Sequence, residues 1–173
     1  MRCEALSLKL KLDLFLLFNE FDADLKARLE SLIEWFPVNK GSTLIEQGAP
    51  SNFAVFVLEG SFEVYRYTEK AGTKLISSAK VGTVLGEVGL LTESPRFATC
   101  RAAQDSVVGI LSKSDLISIS EKDPQLYCGL LKILGMTVAS RLIEINAQIE
   151  SLLLKHEIAV QAANQILDAS MLG

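Results

Sequence analysis

The spacing of apolar positions divides the chain into three textures. From Phe21 to Phe36, Leu25, Leu29, Leu32, Ile33 and Phe36 recur every three or four residues, which predicts an amphipathic helix. Asp22 stands at its N-cap with Phe21 as the apolar flank. Pro37 is expected to end the helix, because the residue before a proline is pushed out of helical angles. Trp35 is expected to pack in a core or an interface. Ahead of this helix, Leu6 to Leu14 alternates with period two, either a strand or an amphipathic lead-in.

From Val38 to Leu111 the pattern changes to short apolar runs broken by Gly41, Gly48, Gly60, Gly72 and Gly82. Phe53–Leu58 and Ser61–Tyr65 read as two strands, with Glu59-Gly60 as the tight turn between them. Phe62 and Val64 alternate with Glu63, as in a half-buried strand, and Ser106–Leu111 reads as the last strand. Regular strands and turns predict an antiparallel barrel or sandwich.

Past Leu111 the chain is helical again. Ser112 to Asp115 starts a short helix, and Asp123-Pro124 supplies an N-cap followed by proline at the first helical position. Leu142, Ile145, Ile149, Leu152, His156, Ala159, Ala163 and Ile166 then follow spacings of 3, 4, 3, 4, 3, 4, 3, a heptad seam. The seam implies a second copy in a parallel coil; the alternative is a helix folded back on its own barrel. His156 within it is either a pH-sensitive register pin or a polar residue tolerated in the coil. Gly135 is a bend point, since glycine weakens a helix interior. The expected organisation is residues 1–36 (lead-in and helix), 37–111 (β domain) and 112–173 (C-terminal helices and coil).

Composition narrows the chemistry. The net charge is −4 and the pI about 5.1, which argues against a nucleic-acid surface. Cys3, Cys100 and Cys128 are scattered, without a CxxC, as expected of free thiols in a reducing cytoplasm. His156 is the one histidine, so a histidine-rich metal site inside a barrel is not available. No nucleophile–base pair is evident, and no enzyme, metal or cofactor is expected. No secretory signal or membrane span is visible either; the apolar run Leu12–Phe18 is too short to cross a bilayer.

One stretch carries concentrated chemistry: Gly86-Glu87-Val88-Gly89-Leu90-Leu91-Thr92-Glu93-Ser94-Pro95-Arg96-Phe97-Ala98-Thr99. Gly86 permits close backbone approach, and Glu87 to Leu91 forms one short helical turn whose first N–H groups favour an anion. Arg96 adds a planar cation suited to phosphate. On spacing alone, a strand end, a capped turn and a solvated arginine are the favoured reading. However, Gly-Glu followed by Leu and Pro-Arg-x-Ala-Thr at this spacing resembles the phosphate-binding cassette of cyclic nucleotide-binding domains. Lys40–Gly48 and Phe56–Val64 resemble the opening strand and hairpin of the same family's β-roll. The resemblance covers roughly residues 20 to 145.

The resemblance implies a mostly β fold with flanking helices: an antiparallel, jelly-roll-like β-roll with an N-terminal helix and a long C-terminal helix. It implies that Arg96 pairs with a cyclic phosphate and that Glu87 accepts from a ribose 2′-hydroxyl. Backbone N–H groups near Gly86, Val88 and Phe97 complete the anion cradle, with Ala98 beside them. Val64 and Ile76 match apolar wall positions near the base. Phe97 departs from the alanine or threonine found there in kinase-type relatives: it removes a hydroxyl that reads guanine, favouring cAMP over cGMP, and adds bulk near the phosphate. Asn146 either offers an amide to the base or is an exposed polar position of the helix.

The function expected is a cytoplasmic, dimeric cyclic-nucleotide sensor that couples ligand to helix rearrangement and acts on an unknown effector. The alternative is a degenerate domain serving as a dimeric interaction module without ligand. Few residues follow the coil, so neither a DNA-binding domain nor a kinase, phosphodiesterase or channel segment is expected in this chain.

Overall fold

The computed structural model describes residues 21–171, with side chains through Gln161. The alternating stretch at Leu6–Leu14, Cys3, and the side chains of Ala163 and Ile166 lie outside the described residues. Two compact units are present, one through Thr137 and one from Val138 onward.

The first unit contains two four-stranded antiparallel sheets. The strands are β1 (Glu34–Val38), β2 (Thr43–Ile45), β3 (Phe53–Glu59), β4 (Ser61–Thr68), β5 (Gly72–Lys80), β6 (Val84–Leu85), β7 (Thr99–Ala102) and β8 (Ser106–Ser112). One sheet has the order β1-β8-β3-β6 and the other β2-β7-β4-β5. The helices are α1 (Ala23–Leu32), α2 (Glu87–Thr92), α3 (Lys113–Lys122) and α4 (Pro124–Met171). This is the expected β-roll with an N-terminal helix and a long C-terminal helix.

β3 explains the layering. Its run Phe-Ala-Val-Phe-Val-Leu lacks the polar alternation of a strand with one wet face, and Ala54 to Leu58 are all buried. Ala54, Phe56 and Leu58 face a core shared with Leu25 and Leu29 of α1, Leu116 and Ile119 of α3, and Leu126, Leu130, Ile133 and Leu134 of α4. Val55 and Val57 face the other way, into an inter-sheet core with Phe62, Val64, Leu85, Cys100 and Val108. Helices, first sheet and second sheet thus stack as three layers.

The N-terminal helix is shorter than its periodicity predicts. α1 ends at Leu32; Ile33 is its C-cap, already extended at φ −86° and ψ 122°. Trp35, Phe36 and Pro37 belong to β1, which pairs with β8 in the register Trp35↔Gly109 and Pro37↔Val107. The β domain therefore opens at Glu34, not after residue 36. Strand pairing overrides the helical spacing, and proline is tolerated because β1 is the edge of its sheet. Gly109 makes the pairing fit: a Cβ there would stand 2.3 Å from the Trp35 ring and 2.5 Å from the Ile33 side chain.

One cap starts α3 and another starts α4. Ser112 and Asp115 form a reciprocal capping box at the start of α3. Asp123 does double duty: Oδ1 accepts from the Leu126 N–H at 3.1 Å, while Oδ2 takes Arg28 Nη1 of α1 at 2.5 Å. α4 runs as unbroken helix through Gly135, the expected bend point. Between Pro124 and Gln161 it is long and apolar enough to cross a bilayer by length and composition alone. A core helix has the same composition, and Leu126, Leu130, Ile133 and Leu134 are buried in the domain core.

Asp123→Ala is expected to lower the unfolding free energy by about 1–2 kcal/mol, because it removes a helix cap as well as an ion pair. Asp24→Ala, which removes only the exposed i,i+4 pair with Arg28, is expected to cost no more than about 0.5 kcal/mol. Urea denaturation of both variants checks this; equal effects would show that the cap contributes nothing.

Candidate functional site

The site is built where β6 runs into α2. Leu85 is buried in the inter-sheet core, and the next residue, Gly86, turns the chain with φ 77° and ψ 9°. That left-handed conformation suits glycine. Close approach adds a second reason, because a Cβ at Gly86 would lie 2.2 Å from Arg96 Nη1. The Gly86 carbonyl accepts twice, from the Leu90 N–H at 3.2 Å and from Arg96 Nη1 at 3.0 Å.

Arg96 is anchored along its whole length. Its N–H donates to the Ala49 carbonyl and its carbonyl accepts from the Gly48 N–H, both at 2.9 Å, tying it to the turn after β2. Its Nη2 donates to the Phe53 carbonyl at 2.6 Å, and its guanidinium carbon sits 4.4 Å from the centroid of the Phe53 ring. The residue is only 5% exposed. Burial pushes the guanidinium pKa down, opposed by Cys100 and by the Glu87 carboxylate. The cation persists all the same, since arginine does not deprotonate in proteins. Among the described residues Arg96 makes no ion pair within 4 Å, so it is a buried positive charge held by carbonyl dipoles.

Glu87 opens α2 and is fully buried. The first-turn N–H groups of a helix have no carbonyl one turn back to bond. Backbone donors at Glu87, Val88 and Gly89 thus stand beside a buried carboxylate and a buried guanidinium. This combination suits a ligand that carries both an anion and a hydroxyl. α2 closes at Glu93, whose left-handed φ of 58° is rare for a side-chain-bearing residue. Glu93 in turn pairs with Lys113 at the start of α3, and that pairing lowers the Glu93 pKa.

Arg96 thus bonds Gly86 and lies within electrostatic reach of Glu87, which precedes Val88 in the first turn of α2. Ala98 packs against the inter-sheet core, and Val64 lies within it. Ile76 falls at a β-bulge between the pairs Val64↔Ser77 and Tyr65↔Leu75 and is 52% exposed. The Phe97 ring is 54% exposed, so its bulk is not packed into the interior. Asn146 is an exposed residue of α4 in the second unit. Sequence reasoning missed Phe53, which was read only as the first residue of a strand; nothing in the local pattern singles it out.

A cavity of about 380 Å³ lies elsewhere, lined by Thr43, Glu46, Tyr65, Tyr67, Thr73, Thr99 and Arg101. It sits on the face of the second sheet opposite the buried Phe62, Val64, Cys100 and Ala102, and holds neither Glu87 nor Arg96. Among the described residues no group of three His, Cys, Asp or Glu is placed to hold a metal ion.

Gly86→Ala is expected to destabilise the fold by about 1–3 kcal/mol, through backbone strain and displacement of the Arg96 head. Gly135→Ala is expected to stabilise by about 0.5–1 kcal/mol, because its Cβ would meet nothing within 4 Å and it sits in a helix interior. Chemical denaturation decides, and a neutral Gly86→Ala would mean that the close approach to Arg96 is dispensable.

Residues 36–123, half of the chain, match the model of the cyclic nucleotide-binding domain family. An uncharacterized ABC transporter ATP-binding protein of Mycobacterium tuberculosis is 38% identical over 69 residues, 40% of this chain and 21% of that protein. A cAMP-dependent protein kinase regulatory subunit of Eremothecium gossypii is 32% identical over 120 residues, 67% of this chain and 25% of that protein. The chain thus spans a quarter or less of these relatives. Among solved structures, a cyclic nucleotide-binding domain from Methylobacillus flagellatus superposes with a TM-score of 0.73 at 22% identity, covering 79% of this chain and 77% of that one. The regulatory subunit of a cAMP-independent protein kinase A from Trypanosoma brucei gives 0.57 at 19%, covering 68% and 47%. These two likenesses speak to fold alone, but the family match spans both the two sheets and the Gly86–Arg96 site, and the chain belongs to the cyclic nucleotide-binding domain family.

Proposed function

We propose that this chain is a regulatory domain that binds a 3′,5′-cyclic nucleotide, cAMP in preference to cGMP, and passes the event to its helices. The observation that carries this reading is the buried Arg96 guanidinium, held by two carbonyls beside Glu87 and the first turn of α2. Arg96 takes the singly charged cyclic phosphate, with backbone N–H groups near Gly86, Val88 and Phe97 completing the cradle. Glu87 accepts from the ribose 2′-hydroxyl, which a deoxy analogue lacks. Val64 and Ile76 supply the apolar wall, Ala98 stands beside the cradle, and Asn146 is the candidate for an amide contact to the base. The preference for cAMP rests on Phe97, which has no hydroxyl to offer guanine.

Coupling to the helices has a route in the first unit. Arg96 bonds the carbonyl of Phe53, Phe53 pairs with Ser112 across β3 and β8, and Ser112 caps α3. The Glu93–Lys113 pair adds a second tie from α2 to α3. A ligand shifts this arrangement only by binding one state more tightly than the other.

The test is calorimetric titration of the wild type and Arg96→Ala with cAMP and cGMP. Saturable binding, tighter for cAMP, is expected, with a loss of about 2–5 kcal/mol in the variant. Tighter cGMP binding would reverse the base assignment. No heat from either nucleotide, with circular dichroism intact, would favour an interaction module that binds no nucleotide and would direct the next substitution to Phe97.

The second part of the proposal is a homodimer through α4. Leu142, Ile145, Ile149 and Leu152 of the seam are each about half or more exposed within one chain, and a parallel coil would cover them. Cys100 and Cys128, neither of them in a disulfide, suit a reducing cytoplasm. Sedimentation analysis is expected to show a dimer that Ile149→Glu converts to monomer. A monomeric wild type at about 100 µM would remove the dimer from the proposal.

A further inference from the structure

Phe53 contributes to the site in two separable ways. Its backbone carbonyl accepts from Arg96 Nη2, and any residue at this position offers that bond. Its side chain offers something else: the ring lies under the guanidinium carbon at 4.4 Å, within the range at which a cation is attracted to a π face. The ring is half-buried and packs against the inter-sheet core, so little water competes for that face.

The donor count shows what this leaves open. A guanidinium has five N–H groups in one plane. The Gly86 and Phe53 carbonyls take one each, from Nη1 and Nη2. Nε–H and one further N–H on each terminal nitrogen remain. The carbonyls fix the head within its plane, and the ring fixes the tilt of that plane. An anion reaching the remaining in-plane donors meets a fork whose orientation is set in advance. A free arginine loses rotamer freedom when it clamps an anion, and a fork already held by ring and carbonyls avoids most of that cost.

We propose that the Phe53 ring is the positioning group for Arg96, setting the tilt of the guanidinium and thereby the affinity for the phosphate of the ligand. The proposal rests on the nucleotide-binding reading above. The partner chemistry is an aromatic face beneath the arginine, so aromatic substitutes preserve the role and aliphatic ones of similar volume do not.

The experiment compares wild type, Phe53→Leu, Phe53→Met and Phe53→Tyr by calorimetric titration with cAMP and cGMP, alongside the Arg96 Nε–H signal in nitrogen-15 NMR. Phe53→Leu is expected to bind about tenfold more weakly, with Phe53→Tyr within about threefold of wild type. The Arg96 Nε–H, shielded by the ring current in wild type and Phe53→Tyr, is expected to return to an ordinary arginine position in Phe53→Leu. Phe53→Met keeps the volume without a π face and replaces Phe53→Leu if the latter unfolds by circular dichroism. Unchanged affinity in the folded aliphatic variants overturns the role of the ring while leaving nucleotide binding standing. Equal loss in Phe53→Tyr and Phe53→Leu overturns it too, since shape rather than the π face would then be at work. A wild type that binds neither nucleotide overturns the functional reading and this role together. An unshielded Nε–H in wild type refutes the stacked geometry whatever the titrations give.

Discussion

A buried cation that, among the described residues, has no carboxylate in hydrogen-bonding contact is the constraint around which this domain is arranged. Removing a guanidinium from water is costly unless dipoles or anions replace the lost hydration. Here carbonyls from two distant parts of the chain and one aromatic face supply the replacement, and the Glu87 carboxylate adds a longer-range attraction. Each supplier depends on a structural decision made elsewhere. Gly86 must turn left-handed so that its carbonyl can reach Arg96 Nη1. β3 must begin at Phe53 so that ring and carbonyl both meet the arginine. The turn at Gly48-Ala49 must close on the Arg96 backbone. The Arg96 site is thus a by-product of the roll being closed correctly.

Much of this was legible in the sequence because the chemistry is contiguous. Gly86, Glu87 and Arg96 lie within one loop–helix–loop segment, so their spacing survives in one dimension. The caps were legible for the same reason: Asp22, Ser112 and Asp123 act on N–H groups three residues away. What was hidden is whatever strand pairing brings from far off. Phe53 is 43 residues from Arg96, and Arg28 is 95 from Asp123; no local pattern marks either partner. The end of α1 was misjudged because Trp35 and Phe36 continue the helical period by coincidence, while their place in β1 is dictated by β8, more than seventy residues later.

The two units differ in how they meet their apolar needs. The β-roll buries many of its large side chains, with Phe56 and Phe62 inaccessible to solvent. Among the described residues, the leucines and isoleucines of the second unit are exposed, including Ile143, Leu154 and Ile158 off the heptad seam. A lone helix with that much apolar surface has no internal way to cover it. The apolar positions of the roll are thus largely covered within the chain, while those of the distal part of α4 are not.

β3 acts as a partition one strand thick. On one side lies the inter-sheet core that includes Val64 and borders Ala98; on the other lie the flanks of α1, α3 and the first turns of α4. Adjacent residues of that strand answer to different rooms, and a peptide unit cannot tilt for one without tilting for the next. A pressure applied to Val55 or Val57 is felt at Phe56 and Leu58 with no intervening layer to absorb it. In a close-packed interior such a displacement is transmitted rather than dissipated. Beyond its hydrogen bonds and ion pairs, the domain therefore has a diaphragm between its inter-sheet core and its helical wall, and the stiffness of that diaphragm is set by five consecutive buried residues.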